Sequence, residues 1–81
     1  MTDEQIFAAL TPIFQDVFNH DNLLLTAGTT ANDVNDWDSL SHLRLIIAIE
    51  RYFKISFTSV DASSFECVGD MVKKIKYKLG M

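Results

Sequence analysis

The sequence predicts an all-α domain, and three observations carry that reading. Apolar residues recur at helical spacing in a first, a middle and a last stretch. A capping signature opens the first stretch and a capping aspartate the second. Between those two, residues 19–37 lose all periodicity and are crowded with Asn, Asp, Thr and Gly28. Three longer helices, one short helix and a long loop between helices one and two follow from this pattern.

Helix one begins at Thr2-Asp3-Glu4-Gln5, where the Thr2 hydroxyl can accept from the Gln5 amide and the Gln5 side chain can reach back. Ile6, Ala9, Leu10, Ile13, Phe14, Val17 and Phe18 then draw one apolar stripe. Pro12 lies off that stripe, removes one intrahelical hydrogen bond and should bend the helix near its middle. In the long loop, Leu23, Leu24 and Leu25 are expected to pin the chain across the core. Helix two opens at Asp38-Ser39 and runs to Tyr52-Phe53. Its apolar middle is compatible with a buried strand, but its length, its aspartate cap and Glu50-Arg51 favour a central buried helix. Ser59 to Phe65 has room for about two helical turns. The last helix starts at Val68 and aligns Val68, Met71, Val72, Ile75 and Leu79. Lys73, Lys74, Lys76 and Lys78 crowd its end, where cations suit the helix dipole. Position 67 is Cys rather than a capping Ser or Thr, so this helix is expected to start loosely.

The 81 residues read as a single domain, 1–81, and a chain of this size buries only roughly 60% of its unfolded surface. Hydrophobic residues make up 48%, enough for a packed core. No apolar run is long enough to cross a bilayer, and the start has no signal-peptide pattern, so a cytoplasmic protein without stable membrane association is expected. Beginning at Met1 without a flanking linker, the chain reads as a free-standing module, and a monomer is expected. The net charge of −4 hides an asymmetry: residues 1–43 hold seven acidic and no basic side chains, and residues 44–81 hold seven basic and four acidic. The acidic balance argues against nucleic acid as a partner, because neutralising phosphates needs clustered basic residues and here four of the seven lie in one terminal segment.

Metal and catalytic motifs fail one by one. Asp33-x-Asn35 suggests a calcium loop, but Trp37 occupies the fifth position, Asp38 the glycine position and Arg44 the place of the bidentate Glu. His20 and His42 have no nucleophile or carboxylate at motif spacing and read as solvated side chains. Cys67 is alone and reads as a small buried or half-buried residue, and Trp37 reads as a packing anchor for the loop.

One stretch remains: Asp36-Trp37-Asp38-Ser39-Leu40, followed by Leu43, Leu45-Ile46, Ile49-Glu50, Phe53, Ile55 and Phe57, and later by Val68-Gly69-Asp70-Met71-Val72. In order and spacing it resembles the acyl carrier proteins, and the resemblance covers essentially the whole chain. It implies a four-helix bundle that is a carrier and not an enzyme. A phosphopantetheinyl transferase would attach 4'-phosphopantetheine from coenzyme A to Ser39. Asp38 would serve as N-cap and help to hold the transferase's Mg²⁺. The resemblance also implies partners that load, condense or transfer acyl groups in fatty acid, polyketide or related lipid biosynthesis, with Asp36, Leu40 and Arg44 on the partner surface. Ile46, Ile49, Phe57, Ala62 and Phe65 would line the cargo cavity.

The chain departs from the family in two ways. Helix two usually carries an acidic face, whereas this one has His42, Arg44, Arg51 and Lys54 against Glu50 alone, so a dedicated partner set is expected, with steering by Asp33, Asp36 and Asp38 local to Ser39. Phe57 and Phe65 stand where smaller aliphatics are common; either they shrink the cavity and exclude long chains, or they are core filler. Two further readings stay open: a peptidyl or aminoacyl carrier, and a helical interaction domain in which Asp38-Ser39 is only a cap.

Overall fold

A computed structural model describes residues 2–34 and 37–80. Its helices are α1 (Asp3–Phe18), α2 (Ser39–Phe53), α3 (Ser59–Ser64) and α4 (Val68–Lys78), with no strand among the described residues.

α1 starts where its capping box places it. Thr2 Oγ1 accepts from the Gln5 amide at 3.2 Å, and Gln5 Oε1 accepts from the Thr2 amide at 2.8 Å. The helix continues through Pro12 and ends at Asn19, whose φ of 51° is the left-handed conformation that stops helices. The apolar stripe is the buried one: Ile6, Ala9, Leu10, Phe14 and Phe18 face inward. α1 packs against both α2 and α4, and with Leu45, Ile49, Phe53, Val68, Met71, Val72 and Ile75 it forms one continuous core. A Cα radius of gyration of 11.5 Å matches the roughly 12 Å expected for a chain of this length.

Three expectations need correction. α2 is not buried all round: Leu45, Ile46, Ile49 and Phe53 are buried, but Leu40, Leu43 and Ile47 are 60%, 57% and 41% exposed. A domain this small has too little mass to cover a helix on every side. Of the three loop leucines, Leu23 and Leu25 pack against the core while Leu24 points to solvent.

The third correction concerns α4, which does not start loosely. Cys67 makes no side-chain cap, yet the Val68 amide donates to the Thr29 carbonyl at 2.8 Å and the Gly69 amide to the Ala27 carbonyl at 2.9 Å. The long loop thus supplies the cap that position 67 lacks. This approach explains Gly69, since a Cβ there would lie 2.9 Å from the Ala27 carbonyl oxygen.

α3 has a different character. It spans six residues with its own capping box between Thr58 and Asp61, buries none of them and docks more lightly than the other helices. Asp61 ties it to α4 through Lys78 at 3.1 Å and Lys74 at 3.4 Å.

Candidate functional site

Ser39 is the first residue of α2, and its side chain is exposed. Asp38 before it adopts an extended backbone, and its Oδ1 accepts from the Ser41 amide at 2.9 Å, an N-cap worth about 1 kcal/mol. The Ser41 amide holds the Asp38 carboxyl below its ordinary range; desolvation at the helix end opposes it, and the Ser41 hydroxyl and Leu40 amide add to the lowering. The aspartate therefore stays charged beside the serine at neutral pH. Ser39 stands at the positive end of a fifteen-residue helix, where an anion joined to its oxygen gains on the order of 0.3 to 1 kcal/mol.

Trp37 fixes the approach to that helix. Its ring meets Phe14 edge-on at 5.4 Å and Phe18 at 5.8 Å, so it anchors the loop on α1. It also has a polar role: Nε1–H donates to His42 Nδ1 at 3.0 Å, with the two ring planes 20° apart. His42 is accordingly not a solvated side chain. It is half-buried, and its Nε2 lies 2.8 Å from the Ala62 carbonyl oxygen of α3. The signal was present in the sequence, because His42 shares a helical face with Leu45, Ile46, Ile49 and Phe53, and a polar side chain on an inward face needs partners.

An open groove of about 460 Å³ adjoins Ser39 and is lined by Trp37, Asp38, His42, Ala62, Phe65 and Glu66 among others. Of the five residues expected around the cargo, Ala62 and Phe65 line this groove. Ile46 and Ile49 are buried, and Phe57 meets Phe65 edge-on at 5.4 Å.

On the outer side of α2, Leu40 and Arg44 are exposed, and Asp36 lies outside the described residues. A second shallow hollow is lined by Ile13, Ile47, Ala48 and Tyr52 with Arg44 and Arg51. Glu50, the sole carboxylate of α2, turns away from this face and accepts from the Phe57 amide at 2.7 Å. Among the described residues no carboxylate pairs with Arg44 or Arg51. Nor, among those residues, do three His, Cys, Asp or Glu side chains converge on a metal position. His20 is exposed and Cys67 half-buried, each as expected. Asp33 accepts from the Thr30 amide at 2.9 Å within the loop's own turn.

No protein-family model and no curated protein matches the chain. Among solved structures, the solution NMR structure of a holo acyl carrier protein from Geobacter metallireducens is similar to it, with a TM-score of 0.86 and 43% identity over 91% of this chain and 85% of that one.

Proposed function

The chain belongs to the acyl carrier protein family, and from that premise we propose that it carries acyl intermediates as thioesters on a 4'-phosphopantetheine arm joined to the Ser39 oxygen. What supports this most directly is the position of Ser39: exposed, first in α2, capped by a charged Asp38 and opening on a groove. The residues fit such an arm, because an exposed hydroxyl at a helix N-terminus accepts a phosphodiester without burying its charge. When bound, the arm supplies a terminal thiol on a flexible tether, and partner enzymes do the chemistry.

The protein's own residues then have simple tasks. Ser39 offers the oxygen to a phosphopantetheinyl transferase. Asp38 keeps the first turn of α2 in shape and shares the transferase's Mg²⁺ during loading. Leu40, Leu43 and Ile47 present an apolar ridge beginning one residue after Ser39, edged by Arg44 and Arg51. That ridge is the docking face for enzymes that load, condense or transfer acyl groups in fatty acid, polyketide or related lipid biosynthesis. Its cations favour partners with an acidic rim, in keeping with a dedicated set of enzymes. The same reading has the protein work as a monomer in the cytoplasm.

The experiment is direct. Incubation with coenzyme A, Mg²⁺ and a broad-specificity transferase adds one phosphopantetheine mass to the wild type and none to Ser39→Ala. A wild type that stays unmodified, or a variant that is modified, overturns the assignment of Ser39.

A further inference from the structure

His42 joins three segments that are distant in sequence: the end of the loop at Trp37, the first turn of α2, and α3 at Ala62. The chemistry of its two partners fixes the ring's state. An indole N–H can only donate, so Nδ1 must be the bare acceptor; a carbonyl oxygen can only accept, so Nε2 must carry the hydrogen. The imidazole in this arrangement is the neutral Nε2–H tautomer, with both nitrogens satisfied.

The setting gives that bridge leverage. No residue of α3 is buried, so little apolar packing holds the helix itself in place. It is tied polar-fashion on two sides, to α4 through Asp61 with Lys74 and Lys78, and to α2 through His42. The second tie stands at the groove beside Ser39, and buried Ile46 lies one turn further along α2.

We propose that His42 is a positioning residue that latches α3 onto α2 beside Ser39. Cargo tethered at Ser39 therefore stays in the open groove while the latch is shut, and comes against buried Ile46 only when it releases. The shut form suits short or polar acyl groups, since Asp38 and Glu66 line the groove with Trp37 and Phe65. The cargo half of this proposal rests on Ser39 being the attachment point; the latch itself does not.

The unmodified protein tests the latch alone. Long-range ¹⁵N–¹H spectra of the imidazole should show the Nε2–H tautomer, and a predominant Nδ1–H form overturns the proposal. The Ala62 amide donates to the carbonyl of Thr58, the N-cap of α3, so its hydrogen exchange reports opening of that helix. His42→Asn keeps an acceptor near the Nδ1 position but cannot reach Ala62, and His42→Ala removes both bonds. Each should speed Ala62 exchange roughly three- to tenfold, the loss of one hydrogen bond, with Val72 and Ile75 in α4 unchanged. His42→Gln, which returns a donor near the Nε2 position, should bring the rate back to within about twofold of wild type. Unchanged Ala62 exchange in His42→Asn overturns the latch, as does equal acceleration across α4.

The cargo arm uses protein loaded with an octanoyl chain. Loading should shift the Ile46 amide signal more in His42→Asn than in wild type, and equal shifts overturn the gating. If Ser39 cannot be loaded at all, the carrier assignment fails while the exchange and tautomer results still decide the latch.

Discussion

α3 and α4 are neighbours in sequence but are held by opposite kinds of force. α4 places Val68, Met71, Val72 and Ile75 in the core and has its first amides bound by loop carbonyls. α3 has no fully buried residue, Asp61 and Ala62 being half-buried, and is tied by side-chain bonds from His42, Lys74 and Lys78. Apolar burial scales with area and gives way only when the domain unfolds, whereas a few polar ties can open singly at small cost. The bundle thereby separates a helix built into the core from one held beside Ser39 mainly by polar ties.

The contrast can be broken most forcefully in α4. Ile75→Ala removes a fully buried side chain from the shared core and should cost about 2–5 kcal/mol, read as a lower denaturation midpoint with all four helices lost together. A loss confined to α4 would show that the core is not common property. Gly69→Ala comes next. A helix normally gains about 1 kcal/mol from this exchange, but here the methyl carbon would sit 2.9 Å from a backbone oxygen. The loop must shift, and a net loss of about 1–3 kcal/mol is expected in chemical denaturation. A stabilised variant would show that the loop yields freely.

The smallest global effect belongs to Asp61, whose change should leave the core intact and loosen α3. The Thr58 amide, then Lys78 and Lys74, hold its carboxyl well below the ordinary carboxylate range, against a smaller push from desolvation. Because the folded form favours the charged state, its contribution is fully present above the unfolded value of about 4. It is lost as the pH falls from there through the lower folded value. Asp61→Asn should therefore bring α3 at neutral pH to the looseness that wild type shows only in strong acid. A side-chain carbon titration of Asp61 with an ordinary midpoint would contradict this.

The sequence made legible whatever depends on near neighbours. The α1 capping box, the Asp38 cap and the inward faces of α1 and α4 are set by residues within a turn or two of one another, and the structure repeats them. What could not be read was set by contacts across the fold. Val68 and Gly69 take their cap from Thr29 and Ala27, which no rule about position 67 reveals. The middle of α2 is apolar on every side, so the pattern alone could not say which side would find neighbours. His42 is an intermediate case, since its inward face was legible but its partners, Trp37 and Ala62, come together only once the loop and α3 have docked.

The seam between loop and α4 has one further consequence. Both bonds are made by main-chain oxygens, and these are present whatever side chain occupies position 27 or 29. A change of side chain at position 27 therefore removes neither bond, whereas Thr29 is also held by its own buried hydroxyl, which accepts from the Thr26 amide at 2.9 Å, and an insertion or deletion between 27 and 29 would throw the two sides of the seam out of step. Through this stretch, the start of α4 depends on the spacing of two carbonyls.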